Sequence, residues 1–569
     1  MSDNRNMVLA IILSALVLLG WTFVSNAYFP TASEPTTKIV DGKSVPLPQP
    51  KADPAADTRG AVRNRAIVLR ETPRVRIDTP SLHGSINLKG ASIDDLVLKR
   101  HREGLAANSP AIRLLSPAGT RDAFFASFGW TGDGVVTPDH NSLWSARGER
   151  LTPQSPVILS WANGRGQRFD IKLSIDDGYM VTAEQTVSNT GAGAIAIRPY
   201  SLISRARASV DPDSWTSHVG PVGVFNGAAN YEWGYDALAE QGDQSFTSRG
   251  GWLGFTDKYW LTAIIPHQGA SVDAAFRRGP AGSFQTDFTA APAIVQPGKA
   301  IRHESRLFAG AKEVQLLDRY QNRLGIAKFD KAIDWGWFEW FMKPIFKLLN
   351  WLFATIGNFG IAIIVLTLIV RTLMFPIAQK QFKSMAGMRV VQPKMKALQE
   401  RYKDDKPRLQ QEMLKLYQEE KVNPMAGCLP ILLQIPIFYA LYKVLMLAVE
   451  MRHQPFVGWI KDLSAPDPLS PVNLFGYLPF TPPSFLAIGI LPILVGITMY
   501  LQFKLNPAPT DPVQAQVFSI MPWVLMVVMA PFAAGLQLYW ATTNILTIAQ
   551  QKWLYSRHPG LKDAPVEAK

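Results

Sequence analysis

The 569-residue chain is 47% hydrophobic and 18% charged, with a formal net charge of +13. It is too long for one domain and more apolar than most soluble enzymes, and its basic balance points to anionic lipid or RNA without choosing between them. One cysteine, Cys428, excludes an intrachain disulfide and a cysteine-based metal cluster, and the eight histidines are scattered without HxxxH or HExxH spacing, which argues against metal chemistry.

The first element is an apolar run at 7–29. It continues through Trp21 and Phe23, and its exit at Ser25-Asn26-Ala27 is a weak cleavage site, so it reads as an uncleaved transmembrane anchor. Residues 30–60 are rich in Pro, Ala, Thr and Lys and read as a flexible linker. The segment 61–325 changes to short alternating runs. Phe169, Ile171, Leu173 and Ile175 alternate with polar residues, as do Val75 with Ile77 and Ile86 with Leu88, which is the period of half-buried strands. Asn163-Gly164, Asp177-Gly178 and Asn189 to Gly191 supply turns between them. This texture predicts a large antiparallel β-sandwich.

At 328–350, Trp335, Trp337, Phe338, Trp340 and Phe341 are interspersed with Lys331, Glu339, Lys343 and Lys347. That mixture predicts an interfacial amphipathic helix, since indole rings prefer the headgroup layer. Five apolar spans follow, at 352–377, 429–449, 484–503, 517–532 and 533–551, and the anchor makes six. The loop 379–427 belongs to a stretch, Gln379–Cys428, with eleven Lys/Arg against six Asp/Glu, whereas Glu450–Pro483 carries only Arg452 and Lys461 as cations. By the positive-inside rule the first loop is cytoplasmic and the second lies outside. Counting across the spans places both termini, including the tail 552–569, in the cytoplasm and the β-domain outside.

The cytoplasmic loop reads as a helical hairpin with a basic exterior. Met385, Met388, Met395, Leu398 and Tyr402 share one face, and Leu409, Met413 and Leu416 share another. Asp404-Asp405-Lys406-Pro407 breaks the first helix and starts the second. The Met-rich faces are either a two-helix seam or an adaptable apolar binding surface.

Chemistry concentrates inside the spans. Arg371 lies in the apolar run Phe359–Ala378, with Thr367 one turn before it. A cation at the centre of a bilayer costs roughly 2.5–3.5 kcal/mol even on the lenient insertion scale, so Arg371 either snorkels to the headgroups or serves a function. In the last span Gln537, Trp540, Asn544, Thr547 and Gln551 recur at spacings of three and four and form a polar stripe. Gln434 lies between Pro430 and Pro436, and Thr498 and Gln502 mark another span. Such residues line a wet cavity or serve as hydrogen-bonding glue between helices. No Asp or Glu occurs within the five spans, so Arg371 has no obvious counter-ion there. Walker, GxSxG and GxGxxG motifs are absent, and the chain does not read as an enzyme.

Three long motifs resemble a known family. IVRTLMFPIAQKQFKSMAGM, QPKMKALQERYKDDKPRLQQEMLKLYQEEKVNPMAGCLPILLQIPIFYALYKVL and GLQLYWATTNILTIAQQ are similar to the core of YidC-type membrane protein insertases. GGWLGFTDKYWLTAIIP resembles the periplasmic domain of the Gram-negative form. The resemblance implies a polytopic α-helical inner-membrane protein of six spans, with a five-span insertase core and a large periplasmic antiparallel β-sandwich. It further implies an amphiphilic groove open to the cytoplasm and to lipid, with Arg371 as its arginine. Thr367, Gln434, Asn544 and Thr547 match groove-lining polar positions, and Tyr539 with Trp540 matches an aromatic pair that is commonly Tyr at the second position. The implied partners are nascent inner-membrane proteins, the Sec translocon, anionic lipids and, weakly through cytoplasmic loops, the ribosome. No cofactor and no DNA are expected. A secondary transporter or channel using the same polar cavity is the alternative, and a sugar-active enzyme carried by the β-domain is a third reading.

Overall fold

Alternation becomes strand wherever the period-two runs occur. Across Gln167–Ile175 the side chains of Phe169, Ile171, Leu173 and Ile175 are buried while Arg168, Asp170 and Lys172 turn away from the core. Val75, Ile77, Ile86 and Leu88 are buried likewise. These strands belong to a computed structural model that describes residues 39–40, 43–44, 62–211, 217–279, 282–336, 338–403, 405–420, 429–478, 480, 483, 487–505 and 512–557. The apolar run at 7–29, most of the linker and the tail beyond Arg557 lie outside the described residues.

The chain divides into two compact units, Met1–Asp334 and Trp335–Lys569. In the first, two sheets form a sandwich. One sheet has nine strands, and its centre runs Trp260–Pro266, Lys299–Ala311, Met180–Asn189, Gln167–Ile175. The other has eleven, centred on Phe284–Ala290, Ile195–Arg205, Phe124–Gly132 and Ser92–Arg102. Pairing is antiparallel except where Arg150–Leu151 runs parallel to Arg74–Asp78. The turn residues act as their chemistry requires. Asn163 Oδ1 accepts from the amides of Arg165 and Gln167 while Gly164 takes φ +71°. Asp176 Oδ1 accepts from the amides of Gly178 and Met180.

The space between the sheets is filled by aromatic rings, including Trp130 against Phe169 with centroids 5.1 Å apart. Two buried polar contacts cross between the sheets: Gln185 Nε2 donates to the Gly129 carbonyl at 2.8 Å and Ser201 Oγ meets Ser305 Oγ at 3.2 Å. Among the described residues three helices accompany the sandwich, α1 (Arg65–Val68), α2 (Tyr235–Gln241) and α3 (Val314–Leu324). The last is pinned by Tyr320, whose hydroxyl donates to Asp176 at 2.6 Å and accepts from the Tyr179 amide at 3.1 Å. After it, the short turn Phe329–Ala332 inserts Phe329 among Trp252, Phe308 and Tyr320.

The second unit is helical: α4 (Glu339–Ile356), α5 (Phe359–Leu373), α6 (Phe375–Arg401), α7 (Lys406–Glu419), α8 (Leu429–Leu447), α9 (Ile490–Leu505), α10 (Pro512–Met529) and α11 (Ala534–Arg557). Of the stretch 328–350, the turn Phe329–Ala332 belongs to the first unit and α4 begins at Glu339. The apolar stretch at 352–377 is interrupted. Gly357 closes α4 in a left-handed conformation, and Asn358 caps α5 by accepting from the Ile361 amide at 3.0 Å. The 15 residues of α5 rise only about 22 Å. Among the described residues no helix is long and apolar enough to cross a membrane.

Between α6 and α7, Asp405 accepts from the Arg408 amide and starts the second helix of the hairpin. Val391, Met395 and Leu416 are buried together, with Leu398, Met413 and Tyr417 packed against them. Met395 and Met413 therefore serve the seam between the two helices.

One buried cation gives the sandwich a pH signature. Lys312 Nζ donates to Thr256 Oγ1 at 3.0 Å, and burial pushes its ammonium down from 10.5 to about 8 although Asp257, Asp334 and Asp211 pull the other way. Between these two values the unfolded chain holds more protons than the folded one, so rising pH adds stability. The thermal midpoint of the β-sheet signal is expected to rise less steeply between pH 8 and 10 in Lys312→Met than in the parent; parallel slopes would refute the assignment.

Candidate functional site

Three helices of the second unit bring the polar residues together. α5 is fastened at its start, where Asn358 Nδ2 donates to the Phe456 carbonyl at 3.0 Å. Gly360 makes this approach feasible, since a Cβ there would fall 2.0 Å from the Phe456 ring. At the other end of α5, in its last turn, stands Arg371. A cation in that position also complements the negative end of the helix.

Arg371 is half-buried, and its Nη2 donates to the backbone carbonyl of Thr543 on α11 at 3.5 Å. Among the described residues no carboxylate lies within ion-pair distance of it. Thr543 shares a face of α11 with Tyr539 one turn before and Thr547 one turn after. The Tyr539 ring is buried, and its hydroxyl accepts from Gln434 Nε2 of α8 at 2.7 Å. Next to it, Trp540 is half-buried and leans on Phe438 of α8 at a centroid distance of 4.9 Å. Arg371, Thr543, Tyr539 and Gln434 thus link α5, α11 and α8 through a sequence of polar groups.

Other predicted residues lie elsewhere. Thr367 is buried and donates to the Ile363 carbonyl of its own helix at 2.7 Å. Asn544 is buried between helices, where its Nδ2 donates to Thr498 Oγ1 of α9 at 3.1 Å. Gln537 is fully buried and donates to the carbonyls of Met529 and Phe532 at 2.8 Å each, bracing the turn from α10 into α11. Thr547 is half-buried and donates to the Thr543 carbonyl at 2.7 Å. Gln502 and Gln551 are half-buried. The stripe on α11 therefore has three destinations: the α10 turn, α9, and the side shared with α5 and α8. One participant was not anticipated. Thr543 offers its carbonyl rather than its side chain, so only the four-residue steps from Tyr539 to Thr547 hint at it.

The Gln434–Tyr539 contact is testable. A double-mutant cycle of Gln434→Leu and Tyr539→Phe, read from unfolding in detergent, is expected to return a coupling of about 0.6–1.7 kcal/mol. Additive effects would mean that the contact does not form.

Comparison with known proteins covers both units. The family described as "60Kd inner membrane protein" matches residues 351–561, and the "YidC periplasmic domain" matches 74–348. A relative from Zymomonas mobilis named "Membrane protein insertase YidC" is 50% identical over 561 residues, covering 98% of this chain and 96% of that protein. One of the same name from Methylobacterium nodulans is 43% identical over 583 residues, with 98% and 96% coverage. A crystal structure of an active YidC insertase with its first transmembrane domain resolved matches at 18% identity and a TM-score of 0.37, covering 84% of this chain and 92% of that one. The chain belongs to the YidC family of inner-membrane protein insertases, and it carries the family's periplasmic domain.

Proposed function

We propose that this insertase admits the polar portion of a nascent span to the surface around Arg371, and that it also helps inner-membrane proteins fold. The observation that carries the reading is a guanidinium in an apolar helical unit that meets a backbone carbonyl and, among the described residues, no carboxylate. Such a group keeps its attraction for an incoming acidic tail. The attraction grows where water screens less. The hydroxyl and amide groups of Tyr539 and Gln434 beside it offer hydrogen bonds to a peptide backbone in transit.

In this reading the chain crosses the membrane six times, at 7–29 and through the five-span core, with both termini cytoplasmic and the β-domain periplasmic. The stretch Phe359–Ala378, α5 continued into the first turn of α6, makes the first core crossing. The basic loop between α5 and α8 supports this orientation. Arg371, Thr367, Gln434, Tyr539, Trp540, Asn544 and Thr547 form the groove and its walls. Arg371 attracts the tail, Gln434 and Tyr539 contact it, and Asn544 holds α11 in place. The apolar span then partitions into lipid, where each residue contributes several tenths of a kcal/mol and 20 of them roughly several kcal/mol. The membrane potential adds about 2.3 kcal/mol per acidic charge per 100 mV. The scheme uses no nucleotide or cofactor. It works alone or beside the Sec translocon, with anionic lipid and a weakly held ribosome meeting the basic hairpin. The transporter and sugar-enzyme readings draw no support from the family.

Arg371→Ala is expected to lower insertion of a single-span substrate with an acidic N-terminal tail by on the order of tenfold, the factor produced by about 1.4 kcal/mol of lost attraction. Arg371→Lys is expected to retain more. Protease protection of the substrate in proteoliposomes measures both. Undiminished insertion by well-folded Arg371→Ala would reject the role of the charge.

A further inference from the structure

The loop between α8 and α9 ends in an apolar surface that nothing in the insertion scheme uses. From Pro468 to Phe503 the sequence contains no Asp, Glu, Lys or Arg. Within this stretch Val472, Leu474, Phe475, Tyr477, Leu478 and Phe480 are all exposed, Tyr477 at 89%. Leu474 and Phe475 occupy consecutive left-handed backbone positions, φ +49° and +59°, which non-glycine residues rarely adopt. The conformation is held from below. Buried Asp467 accepts from Trp459 Nε1 and the Leu469 amide at 3.0 Å each, and from the Leu491 amide in the first turn of α9 at 2.8 Å. Gly489 allows this approach, since a Cβ there would fall 2.6 Å from the Asp467 side chain.

The backbone of the loop is unusually self-sufficient. The amide of Val472 donates to Ser470 Oγ, that of Phe475 to the Ser470 carbonyl, and that of Tyr477 to Leu474. The amides of Leu478 and Phe480 donate to the carbonyls of Asn473 and Leu478. Pro471, Pro479, Pro482 and Pro483 have no amide hydrogen to satisfy. A loop facing water has no need of such closure, whereas a segment facing hydrocarbon does. The face also carries neither sign of charge, which matches acyl chains and offers nothing to a phosphate group or a charged protein surface. In α9, Leu494, Ile497 and Leu501 are exposed as well.

We propose that residues 469–478 seat in the outer leaflet of the bilayer, with lipid acyl chains covering Leu474, Phe475 and Tyr477. The leaflet assignment rests on the topology proposed above, and the acyl contact does not. The fixed loop would then hold the start of α9 at a set depth.

The test uses the full-length chain in phosphatidylcholine–phosphatidylglycerol proteoliposomes. Cys428→Ser removes the only cysteine. Leu474→Cys or Tyr477→Cys then carries an environment-sensitive fluorophore, quenched either by nitroxide-labelled lipid or by aqueous iodide. Lys461→Cys, exposed on the same loop, is the reference. At 474 and 477 the emission is expected to be blue-shifted from the reference and quenched several-fold more by the lipid nitroxide than by iodide. Iodide-dominated quenching would overturn the proposal. Emission shielded from both quenchers would overturn it in favour of a protein cover, either a second copy of the chain or another partner. Labelling of Lys461→Cys from the periplasmic side with an impermeant maleimide tests orientation separately. Failure there removes the leaflet assignment and the topology, while the quenching ratio still decides the acyl contact.

Discussion

A polar group removed from water is costly unless it finds a partner, and several such groups in the helical unit find theirs across a helix boundary. Asn544 finds Thr498, Gln537 finds the carbonyls at the end of α10, and Gln434 finds Tyr539. Each of these contacts ties one helix to another. Arg371 is the exception in kind, because it meets a backbone carbonyl and, among the described residues, no carboxylate. The same arrangement that fixes the helices thus concentrates one unspent electrostatic attraction at the end of α5.

The sandwich obeys the same constraint with a different outcome. Two of its interior ion pairs are short: Arg277 Nε meets Asp287 at 2.7 Å and Arg205 meets Asp257 at 2.9 Å. Asp287 also accepts from Gln285, so that the carboxylate is surrounded by donors. Removing one partner of such a pair leaves a buried charge alone, at a cost of roughly 3–5 kcal/mol. Beside these pairs the β-domain keeps a buried cation, Lys312, on a threonine hydroxyl.

Most of the β-domain was readable because alternation and turn chemistry are local. Phe169 to Ile175 display their burial in the order of the residues, and Asn163-Gly164 and Asp177-Gly178 fall at hairpin turns. The order of strands was not readable, because it depends on pairings between segments far apart in the chain. The hairpin of α6 and α7 was legible from Asp404 to Pro407, a cap followed by a proline. The helix ends were less so. A hydropathy window averages over Gly357-Asn358, although a glycine stop followed by an asparagine cap is a strong local boundary. The polar stripe on α11 was visible as spacing, but periodicity gives a direction around a helix and not the neighbour waiting there. Asn544 and Trp540 are four residues apart, yet one meets α9 and the other α8. Arg371 was evident as an expense in an apolar run, whereas its acceptor, a main-chain oxygen, has no signature in the amino-acid code.

The turn between α10 and α11 has a mechanical consequence. Gln537 clamps two carbonyls at once, and Asn544 fastens the same helix to α9, so α9, α10 and α11 form a stiff block. Among the described residues, an amide–hydroxyl bond and a pair of tilted rings join α8 to α11. Moving α8 away from α11 would therefore break a hydrogen bond that Tyr539, among the described residues, shares with no other helix and unstack Phe438 from Trp540, so the spacing of these two helices is set by side chains and not by backbone.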